Sequence, residues 1–432
     1  MLPPRRLTIT PRLTRRSTQR RAARRYNRGM IARSALFLIA LAALAPAQPP
    51  DANYDESKVP SYTLPDVLGK AHDAKSWEAR RAEILEMYRN DVFGRAPSAP
   101  AAVKFQASPA EPALNGKAQR KIVTISFGAG PTLHMLMYLP AEARKPTRMF
   151  LGLNFGGIQT IANDPGVPLG VQWLKGEKRP APESSRGQAA SRWQVETILA
   201  HGFGLAVIDY NEIEPDFDGG MKYGVRSIYP PPAADGWAAI SAWAWGLSRA
   251  MDYLETDRQV DAKHVAVFGH SRLGKTSLWA GAQDARFALV ISNESGEGGA
   301  AISRRDFGER TKDLNTRFPH WFCANFRKYN DREDAMPFDS HMLLALSAPR
   351  PLYVASAEGD QWSDPRGEFL GAVGASRVYE LLGKKGLGTD AMPGNHQPIM
   401  HTVGYHIRAG KHDVTAYDWD QYLKFAELQW GK

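Results

Sequence analysis

The sequence contains one cysteine, Cys323. An intramolecular disulfide is therefore excluded, and stability must come from the core. No zinc-ligand spacing, phosphate-binding loop or dinucleotide fingerprint occurs, so neither a cofactor nor a metal is expected. There is no internal repeat and no low-complexity linker, which leaves one domain over residues 48–432 as the simplest organisation. The first 47 residues lack lysine and acidic residues altogether, yet hold eleven arginines. From Gln48 onward, 44 basic residues face 45 acidic ones. The formal charge of +10 thus belongs to the leader, and the near-neutral body has no electrostatic reason to bind nucleic acid.

The longest apolar run near the start, Ser34 to Leu44, is too short to span a membrane. Preceded by Met30-Ile31-Ala32-Arg33 and followed by Ala45-Pro46-Ala47, it has the pattern of an export signal cleaved before Gln48. A longer leader using Arg15-Arg16 as a twin-arginine signal is the alternative, although the hydrophobic residues expected behind that pair are missing. The expected protein is secreted or periplasmic, monomeric, and free of the membrane after cleavage.

Behind an extended lead-in over 48–70, Ile84, Leu85, Tyr88 and Val92 recur at helical spacing after Ser76. Two alternating segments, Ile122 to Phe127 and Leu133 to Tyr138, flank Gly128-Ala129-Gly130-Pro131 and predict an antiparallel hairpin. Buried strands and helices then alternate. Strands are expected at 149–153, 205–210, 265–268, 289–292, 351–357 and 402–407, with helices at 195–201, 237–254, 273–282 and 419–428. This pattern predicts an α/β protein with a mostly parallel sheet covered on both faces, and an α/β-hydrolase architecture suits it.

Gly269-His270-Ser271-Arg272-Leu273-Gly274 lies where a strand gives way to a helix. A sharp turn there exposes a serine hydroxyl as a nucleophile, although the second glycine arrives one position later than in Gly-x-Ser-x-Gly. The serine needs a base from the C-terminal region. His412, in a loop after the last strand, is favoured over His406, which falls inside that strand. The acid is either Asp360, at the usual position for this fold, or Glu294, in the glycine-rich loop Asn293 to Gly299. Asn154-Phe155-Gly156-Gly157 and the backbone of Arg272 are candidate oxyanion donors, and the Arg272 guanidinium adds a charged one.

These stretches, with Ala348-Pro349-Arg350-Pro351, Asp360-Gln361-Trp362-Ser363-Asp364-Pro365 and Gly404-Tyr405-His406-Ile407-Arg408 through His412, resemble the glucuronoyl esterases of carbohydrate esterase family fifteen, bacterial type. The resemblance implies Ser271 as nucleophile, Arg272 as oxyanion residue, Glu294 as acid, with Asp360 sharing or replacing it, and His412 as base. It also implies that Lys275, Glu309 and Trp362 hold the sugar. His270 stands where the fungal members carry a bonded cysteine. The implied reaction is hydrolysis of the ester between a glucuronoyl side chain of xylan, often 4-O-methylated, and a lignin alcohol. The implied partners are glucuronoxylan and lignin-carbohydrate esters. An acetyl xylan esterase is the rival within enzymes, and a catalytically silent carbohydrate-binding protein the rival outside them.

Overall fold

Alternation of apolar side chains builds the centre of the protein. In the strand Val260–His270, Val265 and Val267 enter one core cluster while Ala266 and Phe268 enter the other. Both faces of that strand are therefore covered, as a parallel strand between helices requires. The computed structural model describes residues 49 to 431, apart from 50, 101 and 175. The leader and the expected cleavage site lie outside the described residues.

Thirteen strands are described: β1 (Val103–Ala107), β2 (Glu111–Ala113), β3 (Ala118–Phe127), β4 (Thr132–Pro140), β5 (Thr147–Asn154), β6 (Val171–Leu174), β7 (Glu177–Pro180), β8 (Gly204–Asp209), β9 (Val260–His270), β10 (Leu289–Asn293), β11 (Leu352–Ala357), β12 (Ile399–Met400) and β13 (Val403–Arg408). Eleven form one sheet in the order β1-β3-β4-β8-β5-β9-β10-β11-β13-β12, with β2 paired to β3, while β6 and β7 make a separate hairpin. The run β8-β5-β9-β10-β11-β13 is parallel throughout. β3 and β4 form the expected antiparallel hairpin.

Helices Ala239–Leu254, Arg272–Gln283 and Pro365–Leu381 cover one face, and Val195–Ala200 and Ala416–Trp430 the other. Trp419 anchors the last helix. It is fully buried, sits 4.9 Å from the Phe268 ring, and donates its indole N–H to the Arg192 carbonyl at 2.6 Å. Truncating such a side chain costs about 3–5 kcal/mol.

The first helix, Ala74–Asp91, begins earlier than its spacing predicts. Asp73 caps it, and Ser76 closes a capping box from inside the first turn. The helix Pro365–Leu381 was not predicted, although Asp364, which accepts from the Gly367 amide, and Pro365 form a helix start. No described helix is long and apolar enough to cross a membrane.

Register decides where chemistry can occur. His270 pairs with Asn293, Asn293 with Ala355, and Ala355 with His406, while Asn154 pairs with Asp209. The loops bearing Asn154–Gly157, Asp216, Ser271, Glu294, Asp360 and His412 therefore all leave the carboxyl edge of the parallel strands, the edge where open α/β sheets bind ligands.

Candidate active site

Ser271 sits between β9 and the helix Arg272–Gln283 with φ 59° and ψ −130°. A positive φ is unfavourable for a residue with a Cβ, and the surroundings hold it there. The Ser271 amide donates to the Asn293 carbonyl at 2.9 Å. A Cβ on Gly269 would overlap the Leu273 carbonyl, so the turn closes only over glycine. The late glycine also has a reason. A Cβ on Gly274 would lie 2.9 Å from Ser295 Cβ and 3.1 Å from the Asn293 carbonyl, and the helix packs there against the loop carrying Glu294. Leu273, in the usual glycine place, is buried in the core.

His412 lies on the loop after β13, and its ring packs against that of His270, the residue before the serine, at 4.4 Å between centroids. Nδ1 faces two carboxylates, Asp360 Oδ2 at 2.6 Å and Glu294 Oε2 at 3.1 Å. That leaves Nε2, on the opposite edge of the ring, available. The loop is pinned at three places. Arg408, at its start, donates Nε to Asp418 at 2.8 Å and Nη2 to Glu294 Oε1 at 2.6 Å. Thr415, at its end, donates its amide to Asp418 at 2.6 Å. Between them the Asp413 amide donates to Glu294 Oε2 at 2.9 Å.

Burial opposes charge on His412, but hydrogen bonds to Asp360 and Glu294 raise its pKa well above the ordinary imidazole value. Glu294 is shifted upward by burial. Asp360, also buried, is held below the usual carboxylate range by its bond to His412. Asp360 is thus the more readily ionised of the two acids. His406 is fully buried, its Nε2 on Asp418 at 2.8 Å and its Nδ1 on the Tyr353 hydroxyl at 3.0 Å, so it has no access to Ser271.

The Arg272 guanidinium is ion-paired to Asp216. It also lies over the Trp321 ring at 4.6 Å, with Phe318 and Phe155 at 5.5 and 5.7 Å. The expected oxyanion turn is rigid. Asn154 turns inward, donating to the Gly157 carbonyl and Thr160 Oγ1, each at 2.8 Å, and accepting from the Trp193 indole at 2.9 Å.

Lys275, Glu309 and Trp362, far apart in sequence, form one chain. Lys275 Nζ is 3.3 Å from Glu309 Oε2, and the Trp362 indole donates to Glu309 Oε1 at 3.1 Å. Lys275 is buried and also donates to the Ser295 carbonyl at 2.6 Å.

Asp216, His320, Trp321, Asp418 and Glu368 were not anticipated, nor was the tie of Arg408 to Glu294. Glu368 lies beneath both acid loops, accepting from the Gly296 amide at 3.0 Å and from the Ser356 hydroxyl at 2.6 Å. Burial pushes its pKa up to about 8. Among the described residues, one cluster has metal-ligand reach, His270, Glu294 and His412, with ligand atoms within 4.8 Å of one another. Glu294 and the Nδ1 atom of each imidazole in it are already engaged. Glu294 holds a guanidinium and an amide, His412 Nδ1 holds carboxylates, and His270 Nδ1 meets Asn293 Oδ1 at 2.6 Å.

A family model described as glucuronyl esterase, fungi, matches residues 204–383, a span holding Ser271, Glu294, Glu309, Asp360 and Trp362. A carbohydrate esterase from an unidentified prokaryotic organism is 49% identical over 400 residues, which is 88% of this chain and 93% of that protein. The solved glucuronoyl esterase from Solibacter usitatus is 62% identical, with a TM-score of 0.84 over 87% of this chain and all of that one. A promiscuous esterase of carbohydrate esterase family fifteen from a marine bacterial metagenome is 48% identical, with a TM-score of 0.81 over 88% of this chain and all of that one. With likeness of this degree along nearly the whole described body, the chain belongs to the glucuronoyl esterases of carbohydrate esterase family fifteen, carboxylic ester hydrolases on the α/β-hydrolase fold.

Proposed function

We propose that the protein hydrolyses the ester between a glucuronoyl side chain of xylan and a lignin alcohol, through Ser271, His412 and the acid pair Glu294 and Asp360. The observation that carries this reading is the seating of His412. Its ring packs against the residue before a strained serine, and one ring nitrogen is held by two carboxylates.

His412 Nε2 takes the Ser271 hydroxyl proton as Oγ attacks the uronate carbonyl. The carbonyl π electrons move onto oxygen, where Arg272 stabilises the new charge. Collapse expels the alcohol, which leaves with the proton from His412, and the uronate remains esterified to Ser271. Water, deprotonated by His412, then repeats the attack and frees the uronic acid and the serine. Lys275, Glu309 and Trp362 hold the sugar, supported by their mutual hydrogen bonds and by the indole face of Trp362. A buried ammonium, a carboxylate and an indole beside the serine offer hydrogen bonds and an apolar face to a sugar ring that bears the ester carbonyl.

Export with cleavage before Gln48, a monomeric state and action outside the cytoplasm belong to the same reading. Hydrolysis of benzyl glucuronate compared with an acetylated xylo-oligosaccharide tests it. Preference for the glucuronate supports the proposal, preference for the acetylated sugar replaces it with an acetyl xylan esterase, and inactivity on both favours a binding protein.

A further inference from the structure

We infer that Asp216 is a positioning residue for the reaction: it fixes the Arg272 guanidinium, and the Trp321 ring beneath it, in the place where an oxyanion forms. The inference rests on the reading of Arg272 as the oxyanion donor.

The Asp216 carboxylate is about 5% exposed and receives four side-chain donors. Arg272 Nη1 and the Tyr210 hydroxyl, the latter at 2.9 Å, reach Oδ2. His320 Nε2 at 2.8 Å and the Trp321 indole at 2.7 Å reach Oδ1. A carboxylate has about four acceptor sites, so all are used within the protein and none remains for a substrate. Burial opposes its ionisation, but Arg272 and His320 hold it well below the usual carboxylate range. Its own position is set from the sheet edge. Asp209, the last residue of β8, accepts from the Asn211 amide at 2.9 Å, and the Asn211 side chain accepts from the Asp216 amide at 3.2 Å.

The consequence falls on Arg272. One Nη is tied to Asp216, and the guanidinium lies over Trp321, which stacks on Phe318 at 3.8 Å with nearly parallel rings. Among the described residues, the buried Nε has no hydrogen-bond partner. A buried donor left unsatisfied is costly, and here it belongs to the side chain that an incoming oxyanion would meet. The same Trp321 ring lies 5.9 Å from Lys275 Nζ, so one carboxylate orients the ring shared by the oxyanion cation and the sugar-binding cation. A carboxylate beside the guanidinium weakens its field. Without it, however, a long flexible side chain would have to be ordered during the reaction, and preorganisation is the larger effect.

The test is a double-mutant cycle on benzyl glucuronate with kcat and KM measured separately. Asp216→Asn keeps the shape and removes the charge. It should lower kcat by roughly tenfold to a hundredfold, as misplacing a reacting group does, with KM within about twofold. In an Arg272→Ala background the same change should alter kcat by less than about twofold, because nothing is left to position. Equal losses in both backgrounds, an unchanged kcat, or a rise in KM alone would overturn the inference. If Asp216→Asn shows no cooperative melt, Tyr210→Phe serves in the same cycle. It removes one donor from Asp216 without touching Arg272, and should cost kcat about threefold or more in the wild-type background and nothing with Arg272→Ala. Equal effects in both backgrounds would again overturn the inference. Wild-type kcat in Arg272→Ala itself would remove the oxyanion reading and the inference with it, whereas a large Arg272→Ala loss with additive Asp216→Asn would remove the inference alone.

Discussion

Asp360 and Glu294 meet the same atom, Nδ1 of His412, at 2.6 and 3.1 Å. They come from loops after adjacent strands, so either can orient the imidazole when the other is removed. They are not equivalent, because Glu294 also holds Arg408 and the Asp413 amide. Glu294→Ala should therefore cost more activity than Asp360→Ala and lower stability by about 1–3 kcal/mol through partners left unsatisfied. Removing both should cost on the order of 10⁴ in kcat. Kinetics and thermal melts of the three variants check this, and the reverse ranking would make Asp360 the principal acid.

With His412 as the proposed base, the two carboxylates on its imidazole predict the pH dependence. They stabilise protonated His412 and raise its pKa, while a general base must be unprotonated. Hence kcat/KM should fall as pH drops through a value above the ordinary imidazole pKa of about 6.5. Asp360→Asn removes one of the groups raising that pKa, so the acid limb should move to lower pH. A pH profile of kcat/KM for both enzymes checks the sign, and a limb that stays in place would separate it from His412.

In the proposed mechanism Arg272 contributes charge where charge develops. Arg272→Ala should lower kcat by roughly 10² to 10³ with little change in KM, by analogy with loss of an oxyanion donor. Arg272→Lys should recover only part of the loss, since an ammonium cannot bond Asp216 and an oxyanion with the fixed fork of a guanidinium. A raised KM with unchanged kcat would make Arg272 a substrate-holding residue.

The sugar-holding role proposed for Trp362 predicts the opposite signature. Its indole donates to Glu309, which in turn pairs with Lys275. Trp362→Phe keeps an aromatic face and removes that donor, so KM for a glucuronate ester should rise about threefold to tenfold while kcat changes little. Saturation kinetics on benzyl glucuronate decide it.

The strands of the parallel sheet were legible because each is buried on both faces, as in β8, β10 and β11, where every residue is buried. The serine turn was legible from its place between a strand and a helix. What escaped were partners created only by folding. Asp216 is 56 residues from Arg272 in a loop without periodicity, and Arg408 looks like any strand end until it meets Glu294, 114 positions away. The acid remained ambiguous for a physical reason, since the fold brings both candidates to one nitrogen. The hairpin of β6 and β7, four residues a strand and largely exposed, carries too little apolar alternation to stand out.

The central claim is that Ser271 is the nucleophile, and turnover of benzyl glucuronate by Ser271→Ala tests it most directly. Among the described residues the hydroxyl makes no hydrogen bond, so the variant should melt like the wild type. Its kcat should fall by on the order of 10⁴ to 10⁶. A folded Ser271→Ala enzyme that kept more than about a tenth of the wild-type rate would contradict the account, because ordinary ester hydrolysis at this site would then proceed without the serine.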